Sequence, residues 1–324
     1  MGSVGADSGQ GSHSQGVALL PRLRVGPPTT LSEAQVLQYD RDGFVLPALR
    51  ALPDEEAKSL RHELERIEAL EGKPAGALFS HGHVRYPFLH RLVTRPAILD
   101  AVQDLIGPNI LTWSISVFTK EPGSDAYVAW HQDSNYWGLT PLDGIVTAWV
   151  ALSDVAETSG PMEFLRGSHL KEPQPQEETY HPDNLLSRGQ EIKWTAPIDP
   201  SQVARATMRP GEFSLHHVKL AHASGPNRDA GRRIGVAIRY MPCCTRSTHE
   251  EDVAMHVRGK LELNDFILET PPASAEDAQA IAQLERGRAI KQRNIMRGSD
   301  QELLARKQDL AKARNLPAHV LCKA

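Results

Sequence analysis

His131 and Asp133, in Trp130-His-Gln-Asp133, stand two residues apart directly after a strand-like run. On an extended strand that spacing turns both side chains to one face. An imidazole nitrogen and a carboxylate oxygen meeting at one point suit a divalent transition metal. One further histidine would complete a 2-His-1-carboxylate set, which holds ferrous iron and leaves positions open for oxygen and a co-substrate. A His-x-Asp pair alone is common on surfaces and in turns, so the later sequence must decide. His222, in Leu220-Ala-His-Ala-Ser-Gly-Pro-Asn, follows a short strand and precedes a Gly-Pro turn, where a strand edge can present it at a barrel mouth. Further on, Arg233 opens the run Arg233-Ile-Gly-Val-Ala-Ile-Arg-Tyr. A buried guanidinium there can hold the far carboxylate of a dicarboxylic acid through a bidentate pair. Arg232, its neighbour, should face the other way.

Rigid elements must position these groups. Ile110 to Thr119 is rich in β-branched and aromatic residues, and Val128–His131, Ile145–Leu152, Met162–Leu165, Phe213–Leu215 and Ile234–Tyr240 read as further short strands. Pro122-Gly123, Asp143-Gly144, Ser159-Gly160-Pro161, Pro210-Gly211 and Gly225-Pro226-Asn227 punctuate them. Short strands separated by turns, without a helix after each, predict an antiparallel sandwich or barrel. Helices precede and follow this core. Ser32 with Gln35 is a capping box for a helix ending before Gly43, and Phe44-Val45-Leu46 is a short strand. Pro53 to Leu70 carries Leu60, Leu64, Ile67 and Leu70 on one stripe, and Pro96 to Ile106 stops at Gly107-Pro108. Ser274 with Asp277, and Ser299 with Glu302, mark two C-terminal helices. The stretch 171–208, with five prolines, is too long for an ordinary connection and reads as a lid.

The organisation expected is a Gly/Ser-rich disordered tail over 1–16 and one domain over 17–324. That domain divides into a helical region (31–106), a β core (107–241) with the 171–208 insertion, and C-terminal helices (272–316). A formal net charge of -4 gives no footprint for nucleic acid or an anionic membrane. No apolar run is long enough to span a bilayer, and the first residues lack the basic and apolar regions of a signal peptide. Three cysteines, Cys243, Cys244 and Cys322, form neither a disulfide framework nor a zinc motif. These features point to a soluble protein of a reducing, cytoplasmic compartment that works on a small molecule; they leave its oligomeric state open.

Several segments together resemble the phytanoyl-CoA dioxygenase family: Asp42-Gly-Phe-Val-Leu, His131-Gln-Asp-Ser-Asn-Tyr, Thr147-Ala-Trp-Val-Ala-Leu, Gly160-Pro-Met-Glu-Phe-Leu-Arg-Gly-Ser-His169, and the run from Gly211 through His222 to Asn227. The resemblance covers about residues 31–241. It implies a mainly β, double-stranded β-helix (jelly-roll, cupin-like) core with flanking helices, and a non-haem Fe(II)/2-oxoglutarate-dependent dioxygenase that consumes O2. Carried over by position, His131, Asp133 and His222 would be both the catalytic centre and the iron ligands. Arg233 with the Ser224 hydroxyl would hold the C5 carboxylate of 2-oxoglutarate, and Trp149 and Thr147 would line the co-substrate pocket. Related halogenases carry Ala or Gly where Asp133 stands, so its presence favours hydroxylation of an unactivated C–H bond.

Asn135, Tyr136 and Trp137 follow the ligand pair closely enough to line the pocket mouth, and His181, Asn184 and Arg188 lie in the lid. His216 shares the face of His222, while His217 does not, and His169 ends a strand. A small organic metabolite, including a natural-product intermediate, is the substrate class expected. The same chemistry ending in ring closure, desaturation or epimerisation is one alternative; a non-catalytic cupin-like binding protein is another.

Overall fold

The structure, a computed structural model, describes residues 26–262 and 264–313. The expected tail over 1–16, the end of the C-terminal helical region and Cys322 lie outside the described residues.

Two facing sheets form the core. The larger runs in the spatial order β1 (Phe44–Arg50), β10 (Glu212–His217), β5 (Val146–Ala151), β12 (Arg233–Pro242), β2 (Ile110–Lys120), β14 (Val253–Arg258) and β15 (Ile267–Glu269). The smaller runs β3 (Val128–His131), β11 (His222–Ser224), β6 (Met162–Leu165) and β9 (Val203–Ala206). Two ribbons complete the strands, β13 (Arg246–Ser247) on β4 (Leu139–Thr140) and β7 (Gln176–Glu178) on β8 (Gln190–Ile192). Pairing is antiparallel except between β14 and β15. This is the jelly-roll fold expected.

Alternation explains how one sheet serves two cores. Every residue of β12 is buried, because both of its faces are covered. Ile234, Val236, Ile238 and Tyr240 face the helices, α1 (Glu33–Asp42), α2 (Asp54–Glu71), α3 (Ala75–Phe79), α4 (Pro87–Val93) and α5 (Pro96–Ile106), in a cluster with Leu64, Leu89, Val102, Val150 and Leu215. Tyr240 ties the layers with a 2.7 Å hydrogen bond to the Val93 carbonyl. The opposite face looks toward the smaller sheet, where Trp149, Ala237, Met162 and Phe164 share a second cluster.

The capping box of Ser32 and Gln35 forms, and Gly43 ends α1 in the left-handed region at φ 88°. Some expectations need correcting. Leu70 is 72% exposed rather than on the buried stripe of α2, two residues before the helix ends at Gly72. The larger sheet continues beyond residue 241 through β14 and β15, whose mixed polar pattern hides their strand character. The insertion stops before β9, which pairs with β6 in the smaller sheet. His169 lies in a 3₁₀ turn, Ser168–Leu170, after the strand. Asp277 itself caps α7 (Ala278–Ile295), accepting from Gln279 N. Asp300, not Ser299, accepts from the first amides of α8 (Gln301–Ala313), both at 3.0 Å.

Candidate active site

The two histidines meet because β3 and β11 are neighbours in register: His222 lies directly opposite His131, with ring centroids 4.1 Å apart. Each ring is fixed the same way, its Nδ1 2.9 Å from a carbonyl two residues earlier, Ala129 for His131 and Leu220 for His222. A carbonyl can only accept, so each Nδ1 carries the proton and each Nε2 keeps its lone pair for a metal. Burial, then the neighbouring His131, push the His222 imidazole down to about 4, which leaves it neutral at physiological pH as ligation requires.

Asp133 reaches the site differently from the strand geometry expected. β3 ends at His131, and Asp133 is in the right-handed helical region (φ -62°, ψ -34°) at the start of α6 (Ser134–Trp137). The turn, rather than strand alternation, brings its Oδ1 to 3.4 Å from His131 Nε2. Burial alone would raise this carboxyl. The adjoining His131 and His222 rings, which can take up protons beside it, and the Arg239 guanidinium outweigh burial and hold the group well below the ordinary carboxylate range. One donor atom from each of His131, Asp133 and His222 lies within 4.8 Å of the others, a set that can hold one transition-metal ion.

Between them, Gln132 points away and holds the lid. Its side chain donates to Lys219 O at 2.6 Å and accepts from Gln174 N at 2.7 Å. The far end of the lid is tied to the C-terminal helices. Arg188 ion-pairs with Glu178 at 2.5 Å and donates to the Ile295 and Arg297 carbonyls, while Lys307 of α8 donates to Asn184 O and Leu186 O.

A cavity lies under the triad. Its larger-sheet wall presents Thr147 and Trp149 of β5, His216 of β10, and Arg233, Ala237 and Arg239 of β12. The register makes this a coherent surface, with Trp149 opposite Ala237 and Thr147 opposite Arg239. Arg233 is 2% exposed, and its guanidinium stacks 4.6 Å from the Trp149 ring centroid. Gly235 makes room for that stack, since a Cβ there would come within 1.9 Å of the indole. Nε and Nη2 of Arg233 have no partner in the protein, a costly state for a buried guanidinium unless a ligand anion answers it. Burial pushes its pKa down to about 10, so it stays charged at neutral pH. Arg232, as expected, faces outward, with Glu68 at 2.6 Å and Glu121 at 2.7 Å.

Ser224 also lines the cavity, but its hydroxyl donates to Gly160 O at 2.9 Å and accepts from the buried Lys120 ammonium. Tyr136 and Trp137 line the cavity. Asn135 is exposed and donates to Gln174 O, while His181 is exposed and packs on Tyr127. The lid instead contributes Leu186, Ser187 and Gln190, and α7 contributes Ile295. His217 is buried against His169 and Tyr39, outside the cavity. Sequence reasoning did not single out Arg239, although counting by twos from Arg233 along a strand reaches it.

The sequence model of the phytanoyl-CoA dioxygenase (PhyH) family matches residues 39–235. The chain belongs to this family. A non-haem monooxygenase, ThoJ, superposes with a TM-score of 0.72 at 33% identity, covering 81% of this chain and 98% of that one. The 2-oxoglutarate-dependent carbocyclase SnoK from nogalamycin biosynthesis superposes with a TM-score of 0.55 at 26% identity, covering 68% and 90%. A probable α-ketoglutarate-dependent hypophosphite dioxygenase of Stutzerimonas stutzeri is 32% identical over 162 residues, 49% of this chain and 54% of that relative's length. With its family, the chain is a non-haem iron(II)/2-oxoglutarate-dependent enzyme. Among the described residues no helix is long and apolar enough to cross a membrane.

Proposed function

We propose that this enzyme hydroxylates an unactivated C–H bond of a small organic metabolite, a natural-product intermediate being one candidate, in a cytoplasmic setting. His131, Asp133 and His222 hold iron(II), which with 2-oxoglutarate and oxygen supplies the oxidising power as the co-substrate is lost as succinate and carbon dioxide. One observation carries the assignment. Two Nε2 lone pairs and a carboxylate converge in a cavity that also contains the unpartnered nitrogens of Arg233.

The chain's own residues then have definite tasks. The Ala129 and Leu220 carbonyls keep both imidazoles in the ligating tautomer. Arg233, its plane set by Trp149, takes the far carboxylate of 2-oxoglutarate in a bidentate pair. Thr147, whose buried hydroxyl has no partner, lies beside that path. Ser224 supports it through Lys120 instead of donating directly, because its hydrogen is engaged by Gly160. Tyr136, Trp137 and lid residues Leu186 and Ser187 exclude water and orient the substrate carbon. Asp133 completes the donor set, which supports hydroxylation over halogenation.

A second outcome, ring closure on the same centre, draws support from the likeness to the carbocyclase SnoK. The test is anaerobic reconstitution with Fe(II) and 2-oxoglutarate, then oxygen and pools of candidate metabolites, with succinate and product masses measured. A product heavier by one oxygen supports hydroxylation, and a product lighter by two hydrogens supports ring closure or desaturation. Absence of succinate with every pool, together with no 2-oxoglutarate binding, would overturn the proposal.

A further inference from the structure

Arg239 is the buried cation that the co-substrate assignment leaves without a task. It lies on the same face of β12 as Arg233, and six residues at about 3.3 Å each put the two arginine backbones about 20 Å apart along the strand. Arg239 is 5% exposed; its Nη1 donates to Ser116 Oγ at 2.6 Å, and the Trp137 ring lies 5.5 Å from its guanidinium carbon. Its Nε has no partner, and among the described residues no carboxylate forms an ion pair with it. Asp133 is the one carboxylate whose charge reaches it, and that group belongs to the metal-binding set, so the Nε is left without a hydrogen-bond partner of its own.

An independent feature adjoins it. Ser114 lies directly across the β12–β2 ladder from Arg239, is also 5% exposed, and has a partnerless hydroxyl. Ser114 lines a second cavity, whose wall has apolar Ala77, Trp113, Ile115 and Met296 and, beside them, His81, Arg288 and Lys291. The two cavities share Ser187 of the lid and Ile295 of α7. Two polar groups with unmade hydrogen bonds thus stand where the metal-side chamber meets the second one.

We propose that Arg239, with Ser114, anchors a carboxylate of the substrate, so that this enzyme acts on an organic acid whose oxidised carbon lies on the metal side of the anchor. A carboxylate has the two oxygens needed to accept from the guanidinium and from the Ser114 hydroxyl together. The inference rests on the oxygenase reading above and assigns the substrate class of that site.

The experiment uses the Fe(II)–2-oxoglutarate complex of the full chain, followed anaerobically by its charge-transfer absorption. 3-Phenylpropionate and octanoate are titrated in parallel with their primary amides, against wild type, Arg239→Met and Arg239→Lys, with circular dichroism confirming the fold of each. The acids should perturb the band at lower concentration than the amides. Arg239→Met should weaken the acids by about thirtyfold or more, the loss of one partner of a buried charge pair, and leave the amides unmoved. Arg239→Lys should recover part of the acid response. Equal responses to acids and amides, or an acid response that survives in Arg239→Met, would overturn the subsite. Loss of the band itself in both variants would reassign Arg239 to the co-substrate and overturn it too. No band in the wild type would instead remove the oxygenase reading on which it stands.

Discussion

His131, Asp133 and His222 face one another across β3 and β11, while His81, His83 and Glu269 meet between a 3₁₀ turn (Gly82–Val84) and β15. Each group has two histidines and a carboxylate, and in each the donor atoms lie within 4.8 Å. Their commitments differ. In the first, backbone carbonyls take both Nδ1 protons, and the Nε2 atoms point with Asp133 toward a cavity that also holds unpaired arginine nitrogens. In the second, both Glu269 oxygens sit 2.9 Å from His81 Nε2, and neither nitrogen of His83 has a partner to orient it. Helix α7 closes over this pair at Gly287, where a Cβ would come within 2.6 Å of the His81 ring and 2.9 Å of Glu269. The second group is a joint between α7 and the sheet edge. Residue types alone do not make a metal centre; in the second group the carboxylate and one imidazole are already bound to each other, and in the first the backbone carbonyls leave both Nε2 atoms facing Asp133.

The comparison can be broken by substitution. The largest effect expected is for Asp133→Ala, which should cut 2-oxoglutarate turnover to below about a thousandth by removing a ligand of the metal; succinate yield measures it. Glu269→Ala should leave iron binding intact yet destabilise the fold by about 3 kcal/mol or more, because it strands His81 in a buried site. Urea unfolding measures that loss, and a fall in bound iron instead would erase the distinction between the clusters. Arg233→Met should raise the apparent KM for 2-oxoglutarate by about thirtyfold, with little change in iron affinity.

The smallest effect concerns Lys307, which donates to the lid carbonyls of Asn184 and Leu186 and whose pKa burial pushes down to about 7. Its folded pKa lies below the unfolded value, so between about pH 7 and 10 the unfolded chain binds more protons. Stability should therefore rise with pH across that window, and Lys307→Met should flatten the rise in urea midpoints measured from pH 7 to 9.5.

Where local chemistry decides, the sequence was readable. Val128–His131 and Met162–Leu165 are strands, and Pro96–Ile106 a helix, at the bounds that periodicity and turn residues predict. The triad was legible from residue type and spacing, although for Asp133 the route was a turn rather than a strand, because β3 ends earlier than alternation assumes. Arg239 and the lid residues Leu186, Ser187 and Gln190 escaped for another reason. Their place in the cavity depends on which strands pair and on how α7 and α8 hold the lid, and those contacts span more than a hundred residues, as from Arg188 to Ile295. His181 looked equally suited by type, yet it sits on the outer surface of the same lid.

The central claim is tested most directly by anaerobic Fe(II) titration in the presence of 2-oxoglutarate, comparing wild type, His131→Ala and Glu269→Gln. The account predicts about one tightly bound iron per chain in wild type and in Glu269→Gln, and none in His131→Ala. Iron retained at full stoichiometry in His131→Ala, or lost in a folded Glu269→Gln, would contradict it.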